Sequence, residues 1–169
     1  MDVNDMCDSL NKALNLEVEG KDFYTKCAEK TSSAEGRRMF DYLAKEEEAH
    51  YNKVLRIFET DFKEAYAERM KKCEPNMKIK PSGVFKKKIA GGKISTKSDV
   101  LDALNISLKA EEDSIRLYEK LAKQSFQADT IRLFEQLVEE EKTHHSILEN
   151  EVEFVTKTGE FTDFKTITL

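Results

Sequence analysis

The 169-residue sequence predicts an all-α fold, a bundle of four helices built as two antiparallel helical hairpins joined by a long crossover. Three observations carry this expectation. Apolar residues recur at steps of three and four, the period of a helix with one buried face. Two prolines and six glycines leave long stretches without a breaker. Finally, the chain repeats itself: Glu17, Gly20 and Tyr24 fall opposite Glu111, Ser114 and Tyr118, an offset of 111 − 17 = 94. The same offset of 94 carries Arg38, Phe40, Leu43, Glu47 and His50 onto Arg132, Phe134, Leu137, Glu141 and His144. Each half therefore holds two helices, related by a pseudo-two-fold axis.

The first helix is expected over about 3–30, where Leu10, Ala13, Glu17, Gly20, Tyr24 and Cys27 follow the helical step. The second, over about 33–59, carries Phe40, Leu43, Glu47, His50, Val54 and Ile57. Ser32 and Glu35 have capping-box spacing at its start. A third is expected over about 97–123 through Leu101, Leu104, Leu108, Glu111, Ile115, Tyr118 and Ala122, with Thr96 or Ser98 as its cap. The fourth, over about 127–152, repeats the second through Phe134, Leu137, Glu141, His144, Leu148 and Val152. Short turns near Ser32 and Ser125 make each half a hairpin. The crossover, about 60–96, has a further helical stretch at Phe62, Tyr66, Met70 and Cys73, then Pro75, Pro81 and Gly91 as breakers. It is rich in lysine, which reads as a solvated loop offsetting the acidic helices, the alternative being a docking surface for an acidic electron carrier or a second subunit. The tail, about 153–169, loses the helical period and is expected to pack as an irregular arm.

Composition narrows the function. A net charge of −5 argues against nucleic acid, which demands a dominant positive field. Apolar runs of only a few residues and an acidic N-terminus argue against a membrane span or an export signal, so a cytoplasmic, single-domain protein is expected. Cys7, Cys27 and Cys73 form no CxxC pair and encode neither a disulfide framework nor a cysteine-ligated metal site.

The informative residues are Glu17, Glu47, His50, Glu111, Glu141 and His144, which occupy the apolar stripes where leucine belongs. Four buried carboxylates repel one another and are forced to protonate unless a counter-charge is present. Two divalent cations balance them, and two neutral imidazoles complete the shells. In each Glu-x-x-His pair the two side chains share one helix face, so the carboxylate can bridge two metals while the imidazole ligates one. A set rich in oxygen, with two histidines and no thiolate, suits iron or manganese better than copper, and zinc can occupy it adventitiously. Two iron ions are the first expectation. Tyr24 and Tyr118, seven residues past Glu17 and Glu111, stand two turns along the same inner face, each able to hydrogen-bond a ligand or take part in electron transfer. Tyr24 is taken as a catalytic candidate, whereas Tyr118 reads equally well as a core tyrosine with its hydroxyl satisfied. Glu112, Asp113 and His145 read as lying off the site, and Cys27 as a small core residue.

From about Asn4 to Asn150 the chain resembles the rubrerythrins of the ferritin-like superfamily, through Glu17-x-x-Gly20-x-x-Phe23-Tyr24, Leu43-Ala44-x-x-Glu47-x-x-His50 and their second-half echoes. The resemblance implies a ferritin-like bundle with a non-haem di-iron centre: Glu17 and Glu111 as terminal ligands, Glu47 and Glu141 as bridges, His50 and His144 as nitrogen ligands. It also implies reduction of hydrogen peroxide, or oxidation of ferrous iron by dioxygen, under oxidative stress. Rubrerythrins proper add a rubredoxin domain, whose paired cysteines this sequence lacks, so a separate electron donor such as rubredoxin is expected, with a homodimer as the assembly. They also carry a further glutamate one turn after the third-helix ligand, where this chain has Ser114; that favours dioxygen-driven ferrous oxidation relative to peroxide turnover. Two classes of function remain open: an oxidoreductase, and an iron-binding or iron-handling protein without turnover.

Overall fold

The computed structural model describes residues 3–57, 85, 93–125 and 127–164. Among the described residues there are four helices: α1 (Val3–Lys30), α2 (Ala34–Ile57), α3 (Lys97–Gln124) and α4 (Ala128–Thr158). The chain is an all-α four-helix bundle, with no strand among the described residues. Helix α1 packs along α2 and α3 along α4, so each half is a hairpin, and the hairpins meet mainly through α1 and α3. The basic crossover from Phe62 to Gly92 lies outside the described residues, Phe85 excepted, and so does the far end of the tail.

The helix ends follow local chemistry. Thr96 caps α3 through a reciprocal box: its hydroxyl accepts from the Asp99 amide at 3.2 Å, and the Asp99 carboxylate accepts from the Thr96 amide at 3.0 Å. At α2 the cap is Ser33 rather than Ser32. Its hydroxyl accepts from the Gly36 amide at 3.1 Å and donates to Glu35, because the helix starts one residue later than the spacing of Ser32 and Glu35 suggested. Helix α4 runs to Thr158, past the expected end near Val152. Val155 is fully buried and holds the last turns on the core. Gly159 then stops the helix at φ 80°, a left-handed setting that glycine adopts without strain, donating its amide to Val155 at 2.8 Å.

The last described part of the crossover is pinned to the first hairpin turn. Ile94 donates to the Lys30 carbonyl at 3.0 Å and accepts from the Ser32 amide at 3.3 Å. From Glu160 to Phe164 the tail packs as an irregular arm. Phe161 stands edge-on to Phe40, and Thr162 donates both its amide (2.8 Å) and its hydroxyl (2.6 Å) to the buried carboxylate of Glu151. Gly36 makes the docking feasible, since a Cβ there would meet three atoms of the Phe161 ring at 2.6–2.8 Å. Gly→Ala inside a helix ordinarily stabilises by roughly 1 kcal/mol. Gly36→Ala is expected instead to release the arm, read as faster amide exchange at Thr162 with little change in bundle melting. Unchanged exchange at Thr162 would contradict the fit.

The apolar interior is divided in two. One cluster contains Tyr24, Met39, Phe40, Leu43, Leu104 and Leu148; the other contains Leu10, Leu14, Ile57, Tyr118, Phe134 and Leu137. The repeat is visible in the packing. Tyr24 stacks on Phe40 at 6.3 Å and Tyr118 on Phe134 at 6.1 Å, with interplanar angles of 23° and 24°. Along every helix the two clusters are separated by one stretch: Glu17 on α1, Glu47 to His50 on α2, Glu111 on α3, Glu141 to His144 on α4. A polar layer therefore crosses the middle of the bundle. Cys27 lies in the first cluster as a free, buried thiol that burial pushes up to about 12, which makes it inert at neutral pH. Cys7 is disulfide-bonded, where the sequence suggested no disulfide. Wide spacing along a chain does not report distance in space, which alone decides whether two sulfurs can join.

Candidate metal centre

All six predicted ligand residues meet in the polar layer. Glu17, His50 and Glu141 are fully buried, Glu111 and His144 are 1% exposed and Glu47 5%. Two sets of side chains offer ligand atoms within 4.8 Å of one another: Glu17, Glu47, His50 and Glu141, and Glu47, Glu111, Glu141 and His144. The sets overlap in Glu47 and Glu141, the two residues expected to bridge, and differ in one terminal carboxylate and one imidazole each. Nδ1 of His50 lies 3.1 Å from Glu141 and 3.6 Å from Glu17; Nδ1 of His144 lies 3.2 Å from Glu141 and 3.7 Å from Glu111. The rings stack at 5.3 Å.

These atoms are poorly satisfied by the protein itself. Glu17 Oε2, both ring nitrogens of His50, Glu111 Oε2 and Glu141 Oε1 are buried and lack a hydrogen-bond partner. Buried polar atoms are almost always paired, so such a concentration in one layer fits a cation binding there. Gly20 adds a second sign. A Cβ at that position would lie 3.1 Å from Cδ of Glu47 and 3.3 Å from its Oε2, so the missing side chain leaves the carboxylate its room. Gly20→Ala is expected to displace Glu47 by a few tenths of an ångström and weaken metal affinity on the order of 10-fold, as loss of an outer support does. Calorimetric titration with manganous ion checks this; unchanged affinity would show the space to be incidental.

The electrostatics point the same way. Burial, then the charges of Glu17 and Glu141, pushes the Glu47 carboxyl far up. Burial and the nearby Glu141 push Glu111 up to about 8, against the pull of His144. Burial also opposes ionisation of Glu141, yet His50 and His144 beside it hold its carboxyl well below the usual range. Burial alone would push both imidazoles down; Glu141 and Glu140 at His50, and Glu111, Glu141 and Glu46 at His144, more than reverse this. Without metal the layer thus balances its charge with bound protons.

Tyr24 and Tyr118 are both fully buried at the site, and they are exchanged. The Tyr24 hydroxyl donates to Glu111 on α3, and the Tyr118 hydroxyl donates to Glu17 on α1. Seven residues along one helix is about 10 Å, beyond reach of the tyrosine's own helix glutamate, whereas the neighbouring helix presents its glutamate alongside. Burial, then the facing carboxylate, pushes both phenols far above their usual range. Tyr118 is thus a core tyrosine with its hydroxyl satisfied, and the group that satisfies it is a carboxylate of the site. His145 stays outside, 3.4 Å from Glu149, while Glu112 and Asp113 pair with Lys109 and Arg116 at the surface.

Two residues escaped the reading of the sequence. Glu140 Oε2 lies 3.2 Å from Nε2 of His50, and Glu46 Oε2 lies 3.9 Å from Nε2 of His144. Glu46, His50 and His144 form a third group with ligand atoms within 4.8 Å of one another. The signal was available, since 46 + 94 = 140, but in Glu-rich helices a glutamate beside a ligand glutamate carries little information on its own.

A four-helix bundle with a buried, two-fold-repeated cluster of four carboxylates and two histidines defines a class of helical carboxylate proteins able to hold a pair of metal ions. The family model described as Rubrerythrin matches residues 8–152, and the chain belongs to that family. A solved hypothetical protein from Pyrococcus furiosus superposes with a TM-score of 0.73 over 92% of this chain and 94% of its own, at 20% sequence identity, which shows a shared fold. No curated protein matches the chain. No helix among the described residues is long and apolar enough to cross a membrane.

Proposed function

We propose that the protein is a di-iron carboxylate oxidoreductase that reduces hydrogen peroxide or dioxygen with electrons from a separate donor. The observation that carries this is the pair of overlapping ligand sets that share Glu47 and Glu141. Carboxylates common to both sets would hold two cations as neighbours. Bound iron supplies the redox chemistry, two electrons per ferrous pair, and with two protons these reduce peroxide to two waters.

The chain's own residues do the rest. Glu17 and His50 would serve one metal position, Glu111 and His144 the other, and Glu47 and Glu141 would be common to both. Tyr24 and Tyr118 donate their phenolic protons to Glu111 and Glu17, fixing one oxygen of each carboxylate and keeping a proton in place at the layer's edge. The apolar clusters on either side exclude water. Ser114, 5% exposed, stands at the counterpart of Gly20, where rubrerythrins proper place an additional ligand carboxylate. A hydroxyl there is a poor ligand, which favours ferrous oxidation by dioxygen. The donor is proposed to be a rubredoxin-like electron carrier acting on a homodimer in the cytoplasm.

Anaerobic loading with two equivalents of ferrous iron, followed by stopped-flow mixing with peroxide and, separately, dioxygen, tests the reading. Near-ultraviolet absorption is expected to grow with each oxidant, and added rubredoxin with its reductase should sustain many turnovers. Oxidation that stops after one event despite the donor would leave iron handling as the function, and no oxidation of a protein holding two irons would exclude both peroxidase and ferroxidase activity.

A further inference from the structure

The inner ligands leave one nitrogen of each ring unassigned. Both imidazoles turn Nδ1 toward the shared carboxylates and Nε2 away from them. A ring that gives the Nδ1 lone pair to a cation must carry its proton on Nε2, and a fixed acceptor there sets both the tautomer and the tilt of the ring. The carboxylates that face those nitrogens are Glu140 and Glu46, each from the opposite hairpin: Glu140 on α4 faces His50 on α2, and Glu46 on α2 faces His144 on α4. Both stand one residue before a bridging glutamate, about 100° around the helix, which takes them out of the inner cluster and toward the neighbouring helix.

The two acceptors are not equal. Glu140 takes Lys53 Nζ on both oxygens, at 2.7 and 2.6 Å, and the Gln136 amide at 2.8 Å. The repeat places Ile147 and Tyr42 at the counterparts of Lys53 and Gln136, so neither an ammonium nor an amide reaches Glu46 from those positions. Glu46 is also the more exposed side chain, 35% against 21%. The separations follow: 3.2 Å from His50 to Glu140 is within hydrogen-bond range, whereas 3.9 Å from His144 to Glu46 is too long for a bond. Lys53 withdraws some negative charge from Glu140, which weakens it as an acceptor. Fixed geometry outweighs this, because Glu46 must first be ordered before it can accept at all.

We propose that Glu140 and Glu46 are positioning residues for the two imidazoles, exchanged between the hairpins, and that Lys53 makes them unequal, so that the position served by His50 holds a divalent cation more tightly than the one served by His144. The inference rests on the two-metal reading above. Its test is anaerobic titration of the full-length apo protein with cobaltous ion, followed by calorimetry and by the visible absorption of bound cobalt, which reports ligand geometry independently of activity. The wild type is expected to bind two equivalents in two separable steps. Glu140→Ala should weaken the tighter step by roughly 10–100-fold and change its cobalt spectrum. Glu140→Gln, which keeps an oxygen acceptor without the charge, should recover part of the loss. Glu46→Ala should weaken the second step by a smaller factor. Lys53→Met, a change at a partly exposed side chain, should draw the two steps together.

Wild-type protein that binds no cobalt would defeat the two-metal reading itself. Two equivalents bound with unchanged affinities and spectra in Glu140→Ala would defeat only the positioning role. A separation between the steps that survives in Lys53→Met, or is absent in the wild type, would defeat the inequality. Apo variants that keep the wild-type far-ultraviolet dichroism tie any loss to the site rather than to folding.

Discussion

Glu141→Gln is expected to abolish binding of the metal pair while leaving a folded bundle. Glu141 belongs to both ligand sets and lies within 3.2 Å of Nδ1 in both histidines, so a single amide removes a charge from both positions at once. The loss of affinity should exceed the roughly 10–100-fold that an outer partner costs. Glutamine preserves volume and can still hydrogen-bond, which spares the fold the larger penalty of a cavity. Melting temperatures with and without manganous ion separate the two effects: the wild type rises on metal addition, and the variant does not. Glu48→Gln is the control. Glu48 is an exposed partner of Lys21, in a pair worth less than about 1 kcal/mol, and its loss should leave the metal response intact. A full metal response in Glu141→Gln would remove the bridge from the scheme.

Removal of metal by chelation should lower the melting temperature, and the size of the drop should grow with pH. The sign follows from the apo layer. Glu111 is pushed up to about 8, and Glu47 is raised as well, so in the folded apo protein these carboxyls hold protons that an unfolded chain has already released. That contribution is fully present below the ordinary carboxylate pKa of about 4.5 and is lost as pH rises through the folded value. His50 and His144, also raised, act in the same direction from about 6.5 upward. Glu141 and Glu140, both depressed, take over only below about 4.5, where stability falls again with acid. Apo protein should therefore gain stability between pH 8.5 and pH 5.5, two settings of the measurement that lie within about three pH units.

With its carboxyl at about 8, Glu111 alone accounts for about 3 kcal/mol of that gain at about 1.4 kcal/mol per pH unit, which corresponds to a melting shift on the order of 10 °C in a chain this long. Metal replaces the same protons, so the loaded protein should be nearly flat over that range, and the stabilisation it confers should be largest at the alkaline end. Calorimetric melts of chelated and manganese-loaded protein across the range check both statements. A chelated protein whose melting does not depend on pH would mean that the carboxylates are solvated and the layer is not a metal site.

Much of this was legible in the chain. Helical period and the 94-residue offset are local properties of order along the sequence, and they determined the four helices, their pairing in hairpins and the six candidate ligand residues. A carboxylate in an apolar stripe is conspicuous because the stripe itself predicts leucine. The end of α4 was less legible: Gly159 lies beyond residues whose apolar period had faded, and the helix continues because Val155 finds the core. Ser33 displaced Ser32 as the cap for a similarly local reason, a helix start shifted by one residue.

What the tertiary structure alone decided is which partner each group meets. Tyr24 and Tyr118 could be placed on an inner face from the sequence, but not on the opposing helix's glutamate, and Glu140 and Glu46 gave no sign of reaching histidines in the other hairpin. Periodicity records the angle of a side chain about its own axis. It holds nothing about the neighbouring helix until packing sets the two in register, and the contacts between hairpins, unlike those within a helix, exist only after that register is set.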